Sequence, residues 1–183
     1  MDLLDTLAAY MDMRETDKIR NRAFVATSTY LLASPAQAEQ HLADFFRHRI
    51  GRGNYNDCII AFCVAAMMFT TATTVVTELF LSDGFLSTLG PLMRRKWKSR
   101  KVETACLEML NAACSVTACR EAIDKYCSDW LEEIVDSDPA EAIIEISRET
   151  DVQMQGTASL RRHSEHVLNV AAVVLTKVKV RSA

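Results

Sequence analysis

Residues that stop helices and bend chains are scarce in this sequence: 183 residues contain five glycines and three prolines. So little punctuation argues against a many-stranded sheet and for helices joined by short connections. Positive charge is not in excess either. The formal net charge is −3, so the bulk balance does not point to nucleic acid. A secretory signal is missing: MDLLDTLAAYMDMRETD is acidic where such a leader is basic, and it has no long apolar core. None of the five asparagines stands in an N-x-S/T sequon. Six cysteines in that setting imply free thiols in a reducing compartment, and the expected localisation is cytoplasmic.

The signatures of catalysis and ligand chemistry are equally thin. Four cysteines, Cys106, Cys114, Cys119 and Cys127, fall at spacings of 8, 5 and 8 residues. A zinc site is usually built from close pairs such as C-x₂-C, and none is present. His163 and His166 could share a helical face but lie far from the cysteines in sequence. Cys119 precedes Arg120, the only hint of an activated thiol, and no base accompanies it. GRGN (51–54) is too short for a phosphate loop, and no Walker or dinucleotide fingerprint occurs. The expectation is a protein without catalytic residues, metal or cofactor.

Long apolar runs are limited to one. From Cys58 to Thr77 twenty residues carry no charge, long enough to span a bilayer. Five of the last eight are threonine, and no Lys/Arg cluster or Trp flanks the run closely. The run reads as two buried helices broken near TTATT, and no membrane partner is expected.

Helical periodicity is what the sequence does contain. SPAQ places Ser34 as a cap, Pro35 in a first turn and Gln37 at the third helical position; Asp138, Pro139 and Glu141 repeat the pattern. GRGN and the Asp-Gly at 83–84 mark breaks, and SLRRHS near residue 160 is expected in or beside a loop. DCIIAFCVAAMMF (57–69) aligns with VETACLEMLNAAC (102–114), an offset of 102 − 57 = 45. Ala61 meets Cys106 and Ala65 meets Leu110; further on, Phe85 meets Trp130, Leu86 meets Leu131 and Leu89 meets Ile134. A weaker earlier copy runs at 18–32 and 41–50. A later one at 166–178 sets Val167, Ala171 and Leu175 against Val102, Cys106 and Leu110.

A helical period near 45 predicts an all-α, armadillo/HEAT-like right-handed solenoid of three to four stacked repeats. The units fall at approximately 17–54, 55–99, 100–145 and, in part, 160–183, within a single domain over 1–183. Each unit shares its apolar face with its neighbours. Cys106, aligned with Ala23, Ala61 and Ala171, then acts as a small core residue, and Trp130 as a large one.

Two charge blocks remain. MRRKWKSRK (93–101) carries six positive charges, Arg94, Arg95, Lys96, Lys98, Arg100 and Lys101, and none negative. Residues 128–151 carry nine acids against one Arg. Solvated helix ends explain such blocks in general. The functional alternative makes the six cations a partner-binding surface at the end of a third helix running from about Asp83 towards Lys96. The acidic block could also neutralise them within the molecule.

The stretch ELFLSDGFLSTLGPLMRRKWKSRKVETACLEMLNAACSVTACREAIDKYCSDWLEEIV (78–135) strongly resembles the central region of fungal UCS proteins, which are myosin chaperones. IRNRAFVATSTYLLA and VLNVAAVVLTKV look like earlier and later repeats of that region. The resemblance implies an armadillo-like solenoid whose client is the myosin motor domain and which supports actomyosin contractility. It implies no catalytic residue. It suggests a heat-shock chaperone as a further partner, engaged in animal relatives through a tetratricopeptide module that is not evident here. The family's myosin-contacting groove lies largely in a C-terminal domain, so the chain reads as a fragment or a shortened relative. The alternative is a generic armadillo adaptor. A nuclear-import receptor would show a Trp/Asn ladder that Trp97 and Trp130 do not start, and a nucleic-acid-binding repeat needs more than one basic unit.

Overall fold

The computed structural model describes residues 17–82, 84–95, 100–137 and 157–180. Eight α-helices occupy them: α1 (Asp17–Ala33), α2 (Pro35–Asp44), α3 (Tyr55–Thr71), α4 (Thr73–Phe80), α5 (Phe85–Arg95), α6 (Arg100–Ala113), α7 (Thr117–Asp136) and α8 (Thr157–Lys179). A π-helical turn, Phe45–Arg49, extends α2. No strand occurs among the described residues.

The breaks have local causes. Pro35 opens α2 at its first turn, as the sequence predicts, but the capping box at Ser34 does not form. Ser34 sits at ψ 80°, away from the extended value that aims a cap hydroxyl along the helix, and its side chain makes no cap bond. Its carbonyl accepts instead, from the N–H groups of Gln37 (2.9 Å) and Ala38 (3.0 Å). The second box, at Asp138–Glu141, lies outside the described residues. The cap that does form was hidden in GRGN: Asn54 Oδ1 accepts from the Asp57 N–H at 2.9 Å, and Asp57 adds a negative charge to the first turn of α3.

The uncharged run divides where the threonines cluster. Ala72, at φ −143° and ψ 53°, separates α3 from α4. Thr70 and Thr73 donate to the carbonyls of Met67 (2.7 Å) and Phe69 (2.9 Å), local bonds that compete with a continuous helix ladder. No described helix is long and apolar enough to cross a membrane. Gly84, with φ +84°, starts α5 from a backbone conformation that a side chain would strain. SLRRHS, expected in or beside a loop, instead lies within α8. Its residues are helix-compatible, and no Gly or Pro interrupts them.

The helices stack in a solenoid. α1 packs on α3, α3 on α6 and α6 on α8, one continuous row. On the other side α5 packs on α7, which also meets α8, while α2 spans α1, α3 and α4. Ala23, Ala61, Cys106 and Ala171, aligned by the repeat, are all buried in the first row. Small side chains there let neighbouring helix backbones come close. The pairs Phe85/Trp130, Leu86/Leu131 and Leu89/Ile134 are buried in α5 and α7. The copies differ in one respect. Gly84 breaks α4 from α5, whereas the aligned position, Asp129, lies inside the unbroken α7.

Aromatic rings tie the first helices to the next ones. Phe46 stacks on Phe85 with centroids 4.0 Å apart. Phe45 meets Phe46 and Phe62 edge-on, and Phe80 meets Phe69 and Phe85 likewise, at 5.5 to 5.8 Å. Edge-to-face pairs of this kind add about 0.5–1.5 kcal/mol each beyond their buried area. The chain of rings runs from the π-helical turn through α3 and α4 into α5, so the end of one unit is fused to the start of the next.

Candidate partner-binding surface

The thiols are placed for packing. Cys58, Cys106, Cys114, Cys119 and Cys127 are buried, and Cys63 is half-buried on α3. Burial pushes the Cys127 thiol up to about 12, against the opposing charge of Arg94. It pushes Cys114 and Cys119 to about 11, and Cys106, fully enclosed, well above its ordinary value. A nucleophilic or metal-binding thiol needs its thiolate form stabilised, and these environments do the reverse. No group of three or more metal-ligating side chains converges among the described residues.

Of the six cations singled out in the sequence, Arg94 is placed most fully. It stands in the last turn of α5, where the dipole favours positive charge. Its Nε donates to Glu133 Oε2 on α7 at 2.6 Å, with both side chains partly open to solvent. Arg94 is therefore neutralised within the molecule by the acidic block. Lys101 is exposed in the first turn of α6. Arg95 and Arg100 are the last residue of α5 and the first of α6. The side chains of Arg95 and Arg100, and residues Lys96 and Lys98 entirely, lie outside what is described.

That placement sets Arg94 apart from Arg100 and Lys101. A cation at a helix C-terminus is stabilised by the dipole, whereas one at an N-terminus is opposed by it, typically by about 0.3–1 kcal/mol. Arg100 and Lys101 open α6, and Glu103 is the acid of the same turn. Local helix energetics thus account for Arg94 but not for Lys101.

The acidic block is more engaged than its composition suggested. Glu132, beside Glu133 on α7, accepts from Lys179 Nζ near the end of α8. This bond, with Asp124 and Asp136 nearby, holds the Lys179 ammonium above its ordinary pKa. Lys177 Nζ donates to Asn111 Oδ1 on α6 at 2.7 Å, and His166 Nε2 lies 3.8 Å from Glu108 on α6. α7 therefore takes one cation from α5 and one from α8. The Arg94–Glu133 pair, 39 residues apart, realises the internal neutralisation that the opposite signs of the two blocks had offered as an alternative, whereas the Lys179–Glu132 and Lys177–Asn111 contacts, 47 and 66 residues apart, left no signal in the sequence.

The arrangement offers stacked helices, a paired acidic helix and an exposed cation at the start of α6, with thiols buried against chemistry. It suits a surface that holds another protein. No curated protein and no solved structure matches the chain. A family does: the myosin-binding striated muscle assembly central family, UNC45-central, matches residues 1–182. With that match covering nearly the whole chain, and the helical stack in place, the chain belongs to the UNC45-central family.

Proposed function

We propose that the chain is a non-catalytic, protein-binding part of a myosin-directed chaperone or co-chaperone. Acting in the cytoplasm, it supports folding of the myosin motor and hence actomyosin function. The observation that carries this reading is the family match over residues 1–182, a family described by myosin binding. The stacked helices supply the elongated surface such a role needs. On this reading the units run at about 17–54, 55–99 and 100–145, with a partial unit at 160–183.

The client-binding surface is assigned to the basic stretch, with its residues in two roles. Arg94 braces α5 against α7 through Glu133. Arg95, Lys96, Lys98, Arg100 and Lys101 meet an acidic client surface. Lys101 supports this assignment, since its exposed charge stands at the unfavourable end of α6.

A heated myosin motor domain tests the function. Stoichiometric amounts of the chain should reduce its aggregation, followed by light scattering, and should capture it on beads. Neither effect at equimolar ratio would refute the reading. The site is tested by changing Arg95, Lys98 and Lys101 together to Glu. Capture should weaken while thermal stability holds, and wild-type capture should fall as salt rises, because exposed charges are screened over about 8–10 Å at physiological ionic strength. A variant that loses stability but keeps its client would move the site elsewhere.

A further inference from the structure

The turn between α2 and α3 is basic and held in one conformation. From Phe45 to Asn56 there is no acid, while Arg47, Arg49 and Arg52 are charged and His48 is titratable. All four are exposed, and Tyr55, at the start of α3, leaves 45% of its surface open. Arg49 is neutralised locally: its Nε lies 2.5 Å from Asp44 Oδ2. The repeat gives this pairing a counterpart. Arg49 aligns with Arg94, an offset of 94 − 49 = 45, and Arg94 is likewise paired within the molecule, to Glu133. Arg47, His48 and Arg52 have no ion-pair partner among the described residues.

The backbone fixes where these side chains stand. The π-helical turn closes with the Ile50 N–H donating to the Phe45 carbonyl at 2.7 Å, and the N–H groups of Arg52 and Gly53 then donate to the Arg49 carbonyl at 2.8 and 2.7 Å. Phe45 and Phe46 anchor the turn in the core. Gly51, at φ +85°, lets it lie against α5: a Cβ there would stand 3.3 Å from Leu92 Cδ2. A surface ordered in advance loses less entropy when it binds, and single π turns are frequent at functional sites. Arg47 and Arg52 are five residues apart, at most about 17 Å even along an extended chain, so one short ligand reaches both. Guanidinium forks grip carboxylates with two parallel bonds, and arginine and tyrosine are the residues that anchor interfaces. A long polyanion suits the molecule less. With a net charge of −3, nucleic acid or an anionic membrane would also meet the acidic residues of α7, whereas a short peptide feels charges within about 8 Å. We propose that this turn, a site separate from the stretch 93–101, binds an acidic peptide segment of a partner protein, whether or not that partner is myosin. Arg47 and Arg52 hold its carboxylates, and Tyr55 packs beside them.

Fluorescence anisotropy of a fluorescein-labelled oligo-glutamate peptide tests this with the full chain. Arg47→Glu with Arg52→Glu should weaken binding about tenfold or more, equivalent to about 1.4 kcal/mol, and leave the melting temperature unchanged. Arg47→Gln with Arg52→Gln gives the same reading with a smaller loss, should the reversed charges unfold the turn. The chain carrying Arg95→Glu, Lys98→Glu and Lys101→Glu should still bind the peptide. Peptide binding lost in that chain but kept in the Arg47 and Arg52 variants would move the site to the stretch 93–101. Tighter binding of a single-stranded oligonucleotide or of phosphatidylserine vesicles would assign the turn to another polyanion. Either result, or a wild-type chain that does not bind the peptide, overturns the proposal.

Discussion

At the scale of single residues, burial decides chemistry. Cys106 occupies a repeat position that alanine fills in α1, α3 and α8, and it is enclosed completely. Cys106→Ala should therefore lower stability by only about 1 kcal/mol in denaturant unfolding, the cost of a small core deletion. A larger loss accompanied by released zinc would show that packing is not its role. Trp130 is the opposite case. It is buried in α7, and Gly90 of α5 comes so near that a Cβ there would stand 3.6 Å from the Trp130 Cβ. Trp130→Ala removes a large side chain from that crossing and should cost about 3–5 kcal/mol. Unchanged melting with weakened client capture would instead make Trp130 a binding aromatic.

Elements are joined by a few backbone and charge devices that a single substitution can separate. Gly84 at φ +84° has nothing within 4 Å of where a Cβ would be, so Gly84→Ala isolates backbone strain from any clash. It should destabilise by about 1–2 kcal/mol, the cost of a left-handed conformation for an L side chain. An unchanged unfolding midpoint would show that the α4–α5 junction relaxes freely. Arg94→Glu tests the α5–α7 bridge. Exposed pairs of this kind contribute about 0.2–1 kcal/mol, so the loss should be small and should shrink in high salt. A salt-independent loss of several kcal/mol would mean that Arg94 supports the core in another way.

For the whole molecule, the half-buried imidazole of His41 is expected to tie stability to pH. His41 on α2 has its Nε2 enclosed without a hydrogen-bond partner. Burial lowers its pKa from 6.5, aided by Arg49 and opposed by Asp57 and Asp44. The folded protein thus holds His41 neutral, while the unfolded chain takes up a proton below about pH 6.5. The stability tied to the neutral ring is present above pH 6.5 and is lost as pH falls towards the lowered folded value. Urea midpoints should fall between pH 7.5 and 5.5 in the wild type and fall less in His41→Gln. Equal pH slopes in the two proteins would remove His41 from the account. The consequence is structural: α2 packs on α1, α3 and α4, so this end of the stack should loosen first on acidification.

The sequence by itself determined the helical class, the in-phase burial of Ala23, Ala61, Cys106 and Ala171, and the pauses at Ala72 and Gly84. Periodicity and turn chemistry are local, and a shared core repeats its pattern in every unit. Family membership was legible for the same reason, since the aligned apolar positions carry it. Tertiary structure alone decided that Ser34 caps through its carbonyl, that α8 runs through SLRRHS, and that Asp129 lies inside a continuous helix where its counterpart Gly84 breaks one. It also decided which charges of the candidate site are already spent. Arg94 and Lys101 look alike in MRRKWKSRK, yet Glu133, 39 residues further on, pairs with Arg94, while Lys101 stands exposed at the start of α6. Such pairs are worth a fraction of a kcal/mol to about 1 kcal/mol and impose no spacing on the sequence, so only the distance between helices reveals them.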